Sequence, residues 1–340
     1  MTSSGSNKVV FILLPLLLVL ILFSISFGAA DISISTALKA ILQYFGLKDF
    51  GLKKSIITII FTIRLPRILL AVITGTGLAI SGAVFQAVFQ NPLAEPYLLG
   101  ISSGASLGAT IAIVFGAGMI LSSLWSITIF AFAGSIMSIV FILLITKGGR
   151  SGFNALLLCG IAVGYIFQAV VSFLMMLNRD KTEQIVFWTM GSLGSATWTK
   201  VVISGSIILF CILIIFINSE KLNIMSLGIE EAHSLGINPR SCGIFFMILG
   251  CLITAAAVSV SGIIGFVGLI TPHIMRFFTG ADNRKVLPSS AATGACLMVV
   301  ADIIARSVLA PMEIPIGVVT AFIGGPFLLV MIRTRGRRSV

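Results

Sequence analysis

The chain has 340 residues, of which 58% are hydrophobic and only 10% charged, with a net charge of +11 and a mean hydropathy of +1.15. That balance excludes a soluble domain, because runs of about 20 apolar residues with few charges mark membrane-spanning helices. In an all-α polytopic membrane protein the positive charge reads as cytoplasmic loop and tail charge, not as a nucleic-acid footprint.

Taken in order, the first apolar run is Val9 to Phe27. Gly28-Ala29-Ala30 has the small residues of a signal cleavage site, but the run is long for a signal segment, so it is expected to remain as helix one. Asp31 to Ser55 is amphipathic and lysine-rich, and predicts an exposed loop with a short surface helix. Further spans are expected at 56–89, 98–118, 124–146, 154–177, 200–218, 241–261, 263–279, 287–305 and 314–332. Together these make about ten transmembrane helices in a single membrane domain over 1–340. Placing both termini in the cytoplasm puts Lys147, Arg150, Lys221, Arg240, Arg284, Lys285 and the tail Arg333, Arg335, Arg337 and Arg338 inside. Cys159, Cys211, Cys242, Cys251 and Cys296 lie in or beside apolar runs without metal-ligand spacing, and are read as small buried hydrophobes.

The densest stretch is RLPRILLAVITGTGLAISGAVFQAVFQNPLAEPYLLGISSGASLG, from Arg64 to Gly108. Pro66 is expected at a helix start, with Leu65 pushed toward extended geometry. Asn91 to Pro96 interrupts the apolar run with two prolines and a carboxylate, predicting a sharp reversal. Gly100, Gly104 and Gly108 then share one helix face on which another backbone can approach closely. Residues 219–240, SEKLNIMSLGIEEAHSLGINPR, form the longest inward-facing interruption. Gly228 and Asn238-Pro239 bracket a short amphipathic helix with Glu230 and Glu231 in its first turn. An acid-rich helix is a poor ligand for a negative inner leaflet, so a protein partner is expected there.

These pieces resemble the permease subunit of an ATP-binding-cassette importer for iron–siderophore complexes, haem or vitamin B12, the large (type II) ten-helix kind. The resemblance rests on RLPR, SGAVFQ, NPLAEPYLLGISSGA, SLGIEEAHSLGI, GIIGFVGLITPHIMRFFTGADNRKVLP, ADIIAR and EIPIGVVTAFIGGPFLLV, in the family's order. It implies that Gly228, Glu230, Glu231, Ala232, Leu235 and Gly236 couple to an ATPase, a short stiff helix converting a rigid-body movement into a helix movement. Arg64, Arg67 and Arg306 match positions that dock the glutamates of an extracytoplasmic substrate-binding protein, a task suited to a planar guanidinium fork. From the residues alone, Arg64 and Arg67 also read as interfacial anchors and Arg306 as an i,i+4 partner of Asp302.

Asn91 and Leu93 match a cytoplasmic gate, and Phe153 and Asn154 a second gate position where relatives carry a small hydroxyl residue. An apolar plug of Phe153 from two subunits is one way to close such a pore. Gly160, Gly164, Gln168 and Ser172 match pathway lining at the interface of two permease copies. The implied partners are therefore a second permease copy, two ATP-binding subunits, the binding protein and membrane lipid, in a bacterial inner membrane. The chain itself has no G-x-x-x-x-G-K-[ST], so no cofactor is expected on it and ATP-Mg is expected on the partner ATPase. No catalytic or metal site is expected: the two histidines, His233 and His273, are far apart. The competing reading is a proton-coupled carrier, which usually buries carboxylates along its path.

Overall fold

The computed structural model describes residues 4–28, 32–116, 123–149 and 152–336, and within them every regular element is helical. In order these are α1 (Ser4–Ser26), α2 (Ile34–Tyr44), α3 (Lys54–Thr58), α4 (Leu65–Val88), α5 (Ile101–Val114), α6 (Ser123–Ile145), α7 (Phe153–Leu177) and α8 (Thr182–Thr189). They continue as α9 (Trp198–Ile217), α10 (Ser219–Leu227), α11 (Ile229–Ser234), α12 (Pro239–Ser261), α13 (Val267–Thr279), α14 (Asn283–Ser307) and α15 (Ile316–Gly336). Among the described residues seven helices are long and apolar enough to cross a membrane, α5 and the Ile316–Met331 part of α15 being shorter apolar helices. α2 is the surface helix expected in the lysine-rich segment, with the Ser33 side chain capping it by accepting from the Thr36 N–H. Ala29, Ala30, Asp31, Arg150, Arg337 and Arg338 lie outside the described residues.

α4 is the axis of the fold and is buried along most of its length. In a lipid environment apolar side chains gain little by leaving lipid, so close backbone approach and hydrogen bonding must hold helices together. The α4 sequence supplies both. A methyl group placed on Gly82 would lie 1.9 Å from the Gly268 carbonyl of α13, and one on Gly75 2.3 Å from the Gly294 carbonyl of α14. Between them the Ser81 hydroxyl donates to the Gly250 carbonyl of α12 at 2.8 Å and lies 2.9 Å from the Thr254 hydroxyl. α5 and α6 use the same device, Gly104 against Gly134 and Gly108 against the Phe130 carbonyl, whereas Gly100, expected on the same helix face, precedes α5 in a left-handed conformation and packs on α7.

Two local expectations are corrected. Leu65 is not extended but helical (φ −61°, ψ −48°), and the chain runs as one 35-residue helix from Lys54 to Val88. The reason is a π-helical turn over Ile59–Arg64, in which the Leu65 N–H donates to the Ile60 carbonyl, five residues back. That wider turn makes room for the Pro66 ring. The Phe61 carbonyl, which Pro66 has no N–H to serve, accepts instead from the Trp198 indole at 2.8 Å. The second correction concerns the cysteines: Cys211, Cys251 and Cys296 are buried, but Cys159 and Cys242 are partly exposed.

A side chain on Gly82 must push α4 off α13. Gly82→Val should therefore lower the unfolding free energy in detergent by about 1–3 kcal/mol, read as a lower denaturation midpoint. Gly265→Ala, where an added methyl meets nothing within 4 Å, should leave it unchanged.

Candidate functional site

At one end of the bundle the sequence-separated Arg64, Arg67 and Arg306 converge. Arg67 Nε lies 2.8 Å from Asp302 Oδ1, and its Nη1 lies 2.7 Å from Glu313 Oε1. Arg306 Nε is 3.2 Å from Asp302 Oδ2, so the i,i+4 contact is present, alongside donation to the Phe27 carbonyl at 2.8 Å and the Ser24 carbonyl at 2.7 Å. Arg64 donates to the Ile25 carbonyl. The three are 4, 8 and 6% exposed. They line a shared cavity of about 280 Å³ with Glu313, Pro311 and Gly28. The structure thus gathers the three arginines expected to act together, but turns their forks inward to tie α1, α4 and α14.

At the other end of α4 the chain reverses tightly. Gln90 has φ +50°, and the Asn91 carboxamide oxygen accepts from the Leu93 N–H at 2.9 Å, an Asx turn that leaves Asn91 and Leu93 exposed. The chain then climbs back into the bundle. Tyr97 Oη donates to the Ile264 carbonyl and accepts from the Ile264 N–H, and the Glu95 carboxylate lies near the start of α13 with its Oε1 buried and without a hydrogen-bond partner among the described residues. Gly100, at φ +65°, lies against the Gly160 carbonyl, where a side chain would be 2.9 Å away. The turn needs little solvated loop because Tyr97 ties it to the break between α12 and α13.

Phe153 and Asn154 open α7. Asn154 is exposed, but the Phe153 ring is half-buried on its own chain, over Gly243 of α12 and edge-on to Phe89 with centroids 5.8 Å apart. The ring fills the space that Gly243 leaves. The pathway set on α7 also divides. Gly160 and Gly164 are buried against Gly100 and Ser103, so they serve packing, whereas Gln168 and Ser172 are exposed together with Tyr165, Ile166 and Phe173.

In the 219–240 segment, Gly228 adopts φ +148° and the Glu231 carboxylate folds back over it. Ala232 is fully buried, Gly236 (φ +80°) closes α11, and Glu230, Glu231, Leu227, Ile229 and Leu235 are exposed. Two links that the sequence did not flag join this segment to the rest. Gln90 Nε2 donates to the Met225 carbonyl of α10 at 3.1 Å, and the Asn223 side chain bridges Asp282 Oδ1 and the Asn283 N–H, both at 2.7 Å. Burial pushes the Asp282 carboxyl up, but the Asn223 amide, the Arg284 N–H and the Arg284 guanidinium hold it below the usual carboxylate range.

The family model described as the FecCD transport family matches residues 16–334. The chain belongs to that family. It is 40% identical over 331 residues to a hemin transport system permease protein of Yersinia pestis, covering 96% of each chain. It is 38% identical over 293 residues to a cobalamin import system permease protein of Halobacterium salinarum, covering 86% of this chain and 78% of the other. A solved structure described as a metal-chelate type ABC transporter in an inward-facing conformation superposes with a TM-score of 0.84 at 32% identity, over 96% of this chain and 99% of that one. This FecCD chain is accordingly an all-helical membrane permease of the type II importer fold.

The Gln90 and Asn223 links escaped the sequence reading because a lone carboxamide beside a turn carries no periodic signal; the positive φ at Gln90 is a property only of the folded turn. The arginine knot gives the sharpest energetic expectation. Asp302→Ala leaves Arg306 and one side of Arg67 buried without a counter-charge, and should destabilise the protein by about 3–5 kcal/mol in thermal unfolding. Glu313→Gln, at a half-exposed partner, should cost no more than about 1 kcal/mol.

Proposed function

We propose that this chain is the membrane-spanning subunit of an ATP-binding-cassette importer that carries a metal chelate, an iron–siderophore complex by default, with haem or cobalamin as the related cargoes. A second permease copy, two ATP-binding subunits holding ATP-Mg, and an extracytoplasmic binding protein complete the assembly in a bacterial inner membrane. The observation that carries this reading is the contact between the α10–α11 segment and the α4–α5 turn. α11 offers exposed Ile229 and Leu235 with Glu230 and Glu231, a patch of apolar and acidic groups fit for the cleft of a protein partner. One residue beyond α10 the chain pivots at Gly228, and α10 itself holds Gln90, next to Asn91 and Leu93. A movement of α11 therefore reaches the reversal at the inner end of α4 through one hydrogen bond and one helix.

At the opposite end, Arg64, Arg67 and Arg306 form a basic centre beneath a cavity, which supports a carboxylate-bearing partner from outside. Docking then requires an incoming glutamate to compete with Asp302, Glu313 and the α1 carbonyls for the guanidinium forks. Gln168 and Ser172, on the exposed face of α7, are the polar groups left for the path between two copies; Gly160 and Gly164 are not part of it.

The test is uptake into proteoliposomes holding the permease, its ATPase and its binding protein. Chelate should accumulate only with ATP and persist when a protonophore abolishes the proton gradient. Uptake that needs no ATP and collapses with the gradient would establish the carrier reading instead. Glu231→Arg and Gln90→Ala should each reduce ATP-driven uptake by about tenfold, the change that ~1.4 kcal/mol of lost coupling brings to a rate, while costing no more than about 1 kcal/mol of stability.

A further inference from the structure

A second cavity, of about 340 Å³, opens at the same end of the bundle as the arginine knot and is shaped by the α8–α9 loop, the end of α12 and the chain before α15. Its walls include Phe187, Trp188, Ser192 and Ser195, and its floor holds Lys200. Lys200 sits in the first turn of α9 and is only 5% exposed. Its ammonium donates to the Ser195 hydroxyl at 2.8 Å, and no carboxylate among the described residues pairs with it. Glu313 lines the same cavity, but its carboxylate is turned to Arg67 at 2.7 Å.

An ammonium has three donors, of which this one uses a single donor on a neutral partner. A buried cation without a counter-charge is costly, by several kcal/mol on order of magnitude. No structural need accounts for it, since the Lys200 backbone N–H is capped by Thr197 and α9 packs through Val201, Ser204 and Ile208. We propose that this cavity is a subsite for a carboxylate on an organic anion, with Lys200 as its counter-charge and Ser195 as the hydroxyl that holds the ammonium in place. One cation calls for a singly charged group, where a phosphate dianion calls for more. The rings of Phe187 and Trp188 fit the apolar body carrying that carboxylate. Its identity as one arm of an arriving chelate rests on the importer reading; the subsite itself does not.

The experiment therefore uses the permease alone in nanodiscs, with equilibrium dialysis of 1-naphthoate and its neutral isostere 1-naphthamide against empty nanodiscs. The acid should bind the native chain better than the amide. Lys200→Met should weaken the acid by about tenfold, to the level of the amide, and Lys200→Arg should retain most of the preference. Amide binding that is unchanged in both variants shows that the cavity has kept its shape. Equal binding of acid and amide to the native chain would overturn the subsite, as would Lys200→Met binding the acid normally. A Lys200→Met variant that loses affinity only for the binding protein would also overturn it, making the cavity a socket for a protein side chain. Failure of ATP-driven chelate uptake with intact naphthoate discrimination would overturn the importer reading and leave the subsite standing.

Discussion

Backbone-to-backbone contact along α4 is the constraint on which the molecule depends. Lipid tails offer no less apolar surroundings than another leucine, so a membrane bundle gains cohesion where main chains meet and dispersion contacts multiply. Gly75 and Gly82 let α14 and α13 approach α4 to the limit set by their own carbonyls, and Ser81 adds a hydrogen bond to α12 between them. With three helices locked to one, α4 becomes a rigid rod whose two ends have different chemistry. The arginine knot sits at one end and the Gln90–Asn91 reversal at the other.

The rod ends are fixed to different degrees. At the Arg64 end, charged groups tie α1, α4 and α14 through largely buried contacts of 2.7–3.2 Å. Charge-assisted bonds in such a site are strong, and breaking one strands a partner. At the Gln90 end, one neutral hydrogen bond joins the turn to α10. Such a bond contributes on the order of 1 kcal/mol net and is readily exchanged. Phe153 adds only ring contacts over Gly243 and Phe89. Rearrangement therefore costs least at the end where α11 offers its exposed patch.

Most of this was legible in the sequence, for reasons that differ by residue. Seven of the spans were readable because hydropathy is a summed property of about 20 residues, and the close-packed face of α5 because Gly104 and Gly108 repeat at helical spacing. The acid-rich α11 was marked by Gly228 and by Asn238-Pro239, which are punctuation of known geometry. Leu65 was misread because the rule for residues before proline is a local preference, which a continuous helix overrides here; the π-turn relieves the other clash, that of the proline ring with the carbonyls of the preceding turn. Gly160 and Gly164 were grouped with Gln168 and Ser172 because they follow at four-residue steps. A helix advances about 40° over each such step, so the set drifts around α7 from the α5 contact to the open face.

The three arginines show a further limit. Their type and spacing fit an open fork for an incoming carboxylate, and equally a buried brace, since both uses need a planar donor with a charge that burial does not remove. The i,i+4 pairing of Arg306 with Asp302 was readable. The partners of Arg67 and the α1 carbonyls that receive Arg64 and Arg306 are remote in sequence, and only their placement distinguishes the two uses. Yet the two uses are not exclusive. A guanidinium already oriented by Asp302 has lost its rotamer freedom on folding, so a second carboxylate arriving through the cavity above it meets a donor with less entropy left to lose. A brace of this kind would serve the proposed docking as a preorganised donor. Any partner that takes a fork from Glu313 draws on the one member of the knot that is half exposed, without uncovering the deeply buried Asp302.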